Sequence, residues 1–196
     1  MARYQPLSPD QMTAERQAVY DDIEKSRGSV RGPFPLMLHN AGLASAAQEL
    51  GGYARFESKI EPRLLEFAAA VLARFWGAHV EWIAHSRLAV EAGLESAIIE
   101  ALRDGLTPDF VQKDEKAIYD FLMMLLTTSQ VDDATYDRCL ETLGERGLID
   151  LMAIVTHYTV INMTLNTFQV PVPGGVETPS FGPGRAGPRR TEPMTA

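Results

Sequence analysis

Apolar residues recur along most of the chain at the three- and four-residue spacing of amphipathic helices rather than in strict alternation. Ser8 and Pro9 form a typical helix start, whereas the Gly-Pro-Phe-Pro sequence ending at Pro35 cannot continue a helix. The predicted helices cover residues 9–26, 43–57, 62–75, 78–93, 95–103, 114–127, 134–143 and 148–168. This pattern predicts an all-α protein.

The helical pattern indicates three regions of the chain. Residues 1–32 form an N-terminal helix and loop, and residues 33–170 form one helical domain. Residues 171–196 contain six of the 12 prolines and five of the 15 glycines, a composition that does not fold alone. We therefore expect a helical bundle followed by an irregular C-terminal tail.

Composition and charge restrict the partners and the compartment. The chain has 196 residues, with 26 acidic against 18 basic side chains and a net charge of −8, which argues against nucleic acid or an anionic membrane as a partner. The apolar stretch 151–168 carries too many polar groups for a membrane span. The polar N-terminus and the single cysteine, Cys139, predict a cytoplasmic protein without a disulfide.

The densest group of reactive side chains includes Glu81 and His85, which are four residues apart on one predicted helix. Their side chains can meet on one face, where the carboxylate would orient the imidazole and raise its basicity. An ordinary surface ion pair has the same spacing. Trp76 and Trp82 flank the pair and either line a pocket or pack in the core.

Three further side chains are candidates near this pair. Glu66 lies on the preceding apolar helix and either faces the pocket or pairs with Arg63 at the surface. His39 follows the proline-rich loop, where it either borders a site or has a packing role. His79 and His85 do not match the spacing of a helical zinc motif, so we expect no bound metal.

The segment 63–102 resembles the carboxymuconolactone decarboxylase family, which also contains the alkylhydroperoxidase D-like proteins. Redox-active members carry a glutamate, then a cysteine after eleven intervening residues, a second cysteine after two more, and a histidine after three more. Here that spacing falls on Glu66, Ala78, Glu81 and His85, so that both cysteines are absent. The resemblance extends over about residues 33–172.

The resemblance implies a helical bundle that assembles as a homo-oligomer, commonly a trimer or hexamer, with sites near the subunit contacts. A thiol peroxidase of this family needs the two cysteines and is therefore disfavoured. The decarboxylase branch needs no thiol, metal or organic cofactor. We accordingly expect a cofactor-independent lyase that acts on a small carboxylated lactone or a related aromatic-degradation intermediate. His85 would exchange the proton, Glu81 would orient it, and Glu66 would hold the geometry or share the proton.

An anionic substrate of an acidic chain requires a local cation, and the candidates are Arg74, Arg87 and Arg55. Two other functions agree with the same residues. One is a non-catalytic, oligomeric binding or scaffold protein for a small molecule. The other is a different cofactor-free acid–base enzyme, such as an isomerase or a hydrolase.

Overall fold

The computed structural model describes residue 3, residues 5–176 and residues 178–182. Its helices are α1 (Ala14–Arg27), α2 (Phe34–Met37), α3 (Ala41–Gly52), α4 (Pro62–Trp76), α5 (His79–Glu91), α6 (Ser96–Asp104), α7 (Lys113–Thr128) and α8 (Asp133–Phe168). A π-helical turn, Tyr53–Glu57, extends α3, and short 3-10 turns form at Pro9–Gln11 and Pro173–Gly175. The part of the chain described here contains no strand. The predicted all-α class is confirmed.

The short helix α2 begins inside the predicted loop, since Pro35 fits the first turn of a helix, and two other helix boundaries also differ from the predicted ones. Ser8 precedes only the 3-10 turn, and the side chain of Thr13 caps α1 by accepting a hydrogen bond from the next turn. The last two predicted helices form the single helix α8, which bends where Gly144 adopts φ 70°. Gly147, the predicted break, is helical and buried, and a Cβ at this position would lie 2.9 Å from Cβ of Leu143 on the other side of the bend.

Helix α4 forms the centre of the bundle and packs against α5, α7 and α8. Phe67 and Leu72 are fully buried on it, and the run of alanines at 68–70 lets neighbouring helices approach closely. Its predicted start and end are confirmed by Pro62 in the first turn and by Gly77, which ends the helix at φ 65°. Because α4 is buried on most sides, any charged side chain on it needs a partner.

Helix α8 is the one helix in the described ranges that is long and apolar enough to cross a membrane by length and composition. More than half of its most apolar stretch is nevertheless buried inside the protein. Leu151, Ile154 and Tyr158 belong to the main core. The helix therefore packs as an element of the bundle core.

The first part of the C-terminal tail lies against the bundle. The ring of Phe181 stacks on His79 at 4.4 Å between centroids and meets Trp82 edge-on at 5.5 Å. The Arg74 guanidinium lies 4.5 Å from the centre of the same ring. The next residue, Gly182, donates its amide to the carbonyl of Arg103. The remainder of the predicted tail, residues 183–196, lies outside the described residues.

Candidate active site

The centre of the candidate site is His85, whose ring is hydrogen-bonded to a carboxylate on each side. Its Nδ1 pairs with Oε2 of Glu66 from α4, and its Nε2 lies 3.0 Å from Oε2 of Glu81 on α5. The residue is 2% exposed. The structure thus brings together the three residues that the family spacing predicts.

The two carboxylates determine the protonation of His85. Burial by itself would lower the pKa of His85, but the hydrogen bonds with Glu66 and Glu81 outweigh this and raise it to about 8. Burial is the largest single influence on Glu81 and raises its pKa, but the hydrogen bond and the charge of His85, together with the charges of His157 and Arg55, outweigh burial and lower the pKa. At neutral pH the site therefore holds a protonated imidazole beside an ionised carboxylate.

A cavity of about 510 Å³ opens beside this group, and both Glu81 and His85 line it. Four arginines, Arg27, Arg31, Arg55 and Arg87, contribute to the same wall, together with apolar side chains such as Ile83 and Ile161. An acidic protein thus gathers positive charge around one pocket of small-molecule size.

Two of the three predicted cationic residues lie at the cavity. The Arg55 guanidinium is 3.8 Å from Glu66, next to the hydrogen-bonded imidazole. Arg87 is exposed and forms an ion pair of 2.6 Å with Glu91 on the next turn. Arg55 is therefore the better placed of the two to act on a bound molecule.

The structure places four other predicted site residues away from this cavity: Arg74, Trp76, Trp82 and His39. The buried Arg74 guanidinium donates to the carbonyls of Leu102, Arg103 and Gly182, which satisfies it structurally. Trp82 packs in the core against Phe181, and the Trp76 carbonyl accepts a hydrogen bond from Asn166. A ring nitrogen of His39 lies 3.0 Å from the carbonyl oxygen of Gln5.

The cavity residues that were not among the predicted site residues include Arg27, His157 and Tyr158. Burial, and then the charge of Arg27, lowers the pKa of His157 to about 4, so this ring is neutral. A Cβ on Gly51 would lie 2.3 Å from Cε1 of His157 and 2.5 Å from Nη2 of Arg27. Gly51 is the sequence feature that could have indicated the close approach of Arg27 and His157 to α3.

Few of the described side chains could support thiol or metal chemistry. Cys139 is fully buried, does not line the cavity, and has its pKa raised to about 11 by burial. Among the described residues no group of three or more histidine, cysteine, aspartate and glutamate side chains is arranged to hold a metal ion.

Comparison with known proteins identifies the fold. No protein-family profile and no curated protein matches the sequence. The structure is similar to an uncharacterized peroxidase-related protein with an alkylhydroperoxidase AhpD core from Ralstonia eutropha JMP134, with 14% identity, 88% of this chain and 93% of that chain covered, and a TM-score of 0.72. The chain has the AhpD-like fold. The predicted bundle type is thereby confirmed.

Two further structures with this fold show its functional range. A cysteine-to-alanine variant of the debrominase Bmp8, in complex with 2,3,4-tribromopyrrole, is 18% identical, with 89% of this chain and 95% of that chain covered and a TM-score of 0.69. An uncharacterized peroxidase-related protein from Silicibacter sp. TM1040 is 12% identical, with 86% and 90% covered and a TM-score of 0.68. The AhpD-like fold therefore includes an enzyme that acts on a small organic molecule.

Proposed function

We propose that this protein is a cofactor-independent enzyme that transfers a proton between His85 and a small organic anion. The observation that supports this most directly is the buried imidazole held between Glu66 and Glu81 in the wall of a cavity lined by arginines. A proton donor is most effective when its pKa lies near the working pH, and the pKa of His85 is about 8.

The reaction that fits this donor best is the decarboxylation of a small carboxylated lactone or a related aromatic-degradation intermediate. The carbon–carbon bond to the carboxylate breaks, carbon dioxide leaves, and the electron pair moves into the conjugated lactone carbonyl. The proton on Nε2 of His85 then passes to the carbon as the hydrogen bond of Nε2 with Glu81 is released at the cavity wall, and solvent restores that proton. Glu81 fixes the ring through Nε2 and Glu66 through Nδ1, so the donor is oriented before the substrate binds.

A thiol-dependent reaction has less support. Peroxide reduction in this family proceeds through a thiolate, and the two positions with the redox spacing are Ala78 and Glu81. Neither can act as a sulfur nucleophile. The one cysteine, Cys139, is buried away from the cavity with a raised pKa.

The test uses an α,β-unsaturated γ-lactone that carries a carboxylate on its saturated ring carbon, incubated with the protein in D₂O and followed by NMR. We expect one carbon dioxide per turnover and one deuterium on the carbon that loses it. His85→Asn should slow turnover by about 10²- to 10⁴-fold, the usual range for a general acid. Cys139→Ser is the matched control at a buried position outside the cavity and should retain full activity.

Full activity of His85→Asn would contradict the role of the imidazole. Tight binding of the lactone without any turnover by the unaltered protein would instead favour the non-catalytic binding protein. Turnover that depends on His85 but releases no carbon dioxide would indicate the isomerase or hydrolase alternative.

A further inference from the structure

Arg27, at the end of α1, has a positive charge without a negative partner. Its Nε lies 3.1 Å from Oε1 of Gln48, its Nη2 lies 3.2 Å from the carbonyl oxygen of Gln48, and its guanidinium is 4.8 Å from the ring centre of Phe34. All three contacts are neutral, and Arg27 forms no ion pair within the described residues. A half-buried, uncompensated cation facing a cavity is costly unless an anion binds there.

The guanidinium of Arg27 is held in a fixed position. The side chain of Gln48, which accepts from Arg27, donates in turn to Asp22 over 3.0 Å. The nitrogen Nη2, which donates to the Gln48 carbonyl, also lies over Gly51, where a Cβ would be 2.5 Å from it. Anchored donors of this kind bind an anion without losing side-chain freedom.

The surroundings of Arg27 add positive potential. Burial, followed by the charge of Arg55, lowers the pKa of Arg27, and the more weakly acting negative charge of Glu81 only partly offsets this fall. Arg55 has Glu66 as a partner at 3.8 Å, and His157 is neutral because its pKa is about 4. Of these three residues, Arg27 is therefore the charged one without a carboxylate within ion-pair distance in the described residues.

The hydroxyl of Tyr158 is a second unpartnered group at the same cavity. The residue is 1% exposed, and its oxygen has no hydrogen-bond partner among the described residues. The ring packs edge-on against His85 at 4.7 Å between centroids. Burial raises the pKa of this phenol, so the hydroxyl keeps its proton and can act only as a neutral donor or acceptor. A buried hydroxyl without a hydrogen-bond partner is rare unless a bound ligand supplies that partner.

We propose that Arg27 and the Tyr158 hydroxyl form an oxyanion site that binds the enolate oxygen generated by the loss of carbon dioxide, before His85 protonates the carbon. The inference rests on the proposed function, because decarboxylation of a conjugated lactone moves the negative charge from the carboxylate to the carbonyl oxygen. The site would therefore select carbonyl compounds that react through an enolate. The negative charge on the bound oxygen develops only during the reaction. Hydrogen-bond donors in fixed positions stabilise this developing charge and thereby raise the rate.

The probe is tetronate, the enolate anion of a small lactone, which is ionised at neutral pH. Its neutral counterpart is γ-butyrolactone, and both are titrated into the protein by calorimetry. We expect tetronate to bind the unaltered protein at least about tenfold more tightly than the lactone, which corresponds to one charge-assisted hydrogen bond.

Arg27→Gln should weaken tetronate binding by about tenfold or more and leave lactone binding unchanged. Arg16→Gln is the matched control, since it removes the same charge from α1 at a side chain that donates to the carbonyls of Gln11 and His39 outside the cavity. Should Arg27→Gln fail to fold, Arg27→Lys retains the charge without the planar guanidinium, and weaker binding of tetronate with unchanged binding of the lactone by this variant tests the same site.

Tyr158→Phe provides a separate measurement. We expect weaker tetronate binding and no fall in Tm, because the hydroxyl makes no hydrogen bond that the protein would lose. Tyr119→Phe is the control for tetronate binding, since Tyr119 packs in the core, does not line this cavity and has its hydroxyl hydrogen-bonded to Thr107. A fall in Tm with unchanged tetronate binding would show a structural hydroxyl and overturn its part in the site.

Equal binding of tetronate and γ-butyrolactone, no binding of tetronate, or unchanged tetronate binding by Arg27→Gln would each overturn the oxyanion site. None of these measurements depends on turnover. A preference for tetronate that depends on Arg27, combined with full activity of His85→Asn, would keep the oxyanion site and reject the acid–base role. Conversely, tetronate binding that does not depend on Arg27, combined with slow turnover by His85→Asn, would keep the acid–base role and reject the oxyanion site.

Discussion

The elevated pKa of His85 depends on two carboxylates, so removing one of them should lower it. The rise from 6.5 to about 8 corresponds to about 2 kcal/mol in favour of the protonated ring. Burial opposes this rise, so Glu66 and Glu81 together contribute more than that amount. With Glu66→Gln we expect the pKa of His85 to fall to ~7 or below, since one carboxylate must then offset the burial alone.

The assay is an NMR titration of the ring C–H signal of His85 in the unaltered protein and in Glu66→Gln. The same change appears in the pH dependence of stability. Because folding raises the pKa of His85, its stabilisation is fully present below pH 6.5 and is lost as the pH rises through about 8. Urea unfolding on either side of this range should show the loss in the unaltered protein and a smaller loss in Glu66→Gln.

His157 is an internal control, because Glu66 is not among the groups that determine its pKa, and its signal should move little in Glu66→Gln. A pKa of His85 that remains at about 8 in folded Glu66→Gln would refute the reasoning. The hydrogen bond between the two residues would then contribute nothing to the protonation of the ring.

Three other predictions follow from the same structure. If His85 donates the proton, kcat should fall as the pH rises through about 8, which a profile of kcat against pH measures on the lactone substrate. Cys139, whose pKa burial raises to about 11, should resist alkylation in the folded protein, and rapid peroxide turnover abolished by its alkylation would contradict our account. We further propose a homo-oligomer of three or six subunits, supported by Ile149, Val160 and Met163 exposed on α8; light scattering that gives a mass near 21.6 kDa would disprove it.

The sequence predicted those parts of the molecule that depend on local spacing. Pro62 and Gly77 delimit α4 because proline fits a first turn and glycine tolerates a positive φ at a helix end. The contact between Glu81 and His85 follows from the four-residue helical repeat. Glu66 was found through the family spacing, whereas its position on α4 left a surface pairing with Arg63 equally open.

The remaining parts depend on which helices meet in space. Arg27 ends α1 and His157 lies in the middle of α8, and only the packing of both over Gly51 brings them to one cavity. Conversely, Arg74 and Trp82 are close in sequence to the acid–base residues but face the C-terminal segment around Phe181. Helical periodicity shows which residues share a face, but it does not show which neighbour that face contacts.

The contact of Phe181 with the start of α5 has a consequence for the order in which the site is built. The helix that carries Glu81 and His85 is packed at its first turn by a residue about a hundred positions later in the chain. During synthesis the ribosome releases α4 and α5 long before this aromatic ring, so the nascent bundle exposes Trp82 and His79 until then. Completion of the packing around the acid–base pair is therefore a late event in translation, and a chain that stalls before Phe181 would present an apolar surface to chaperones and proteases.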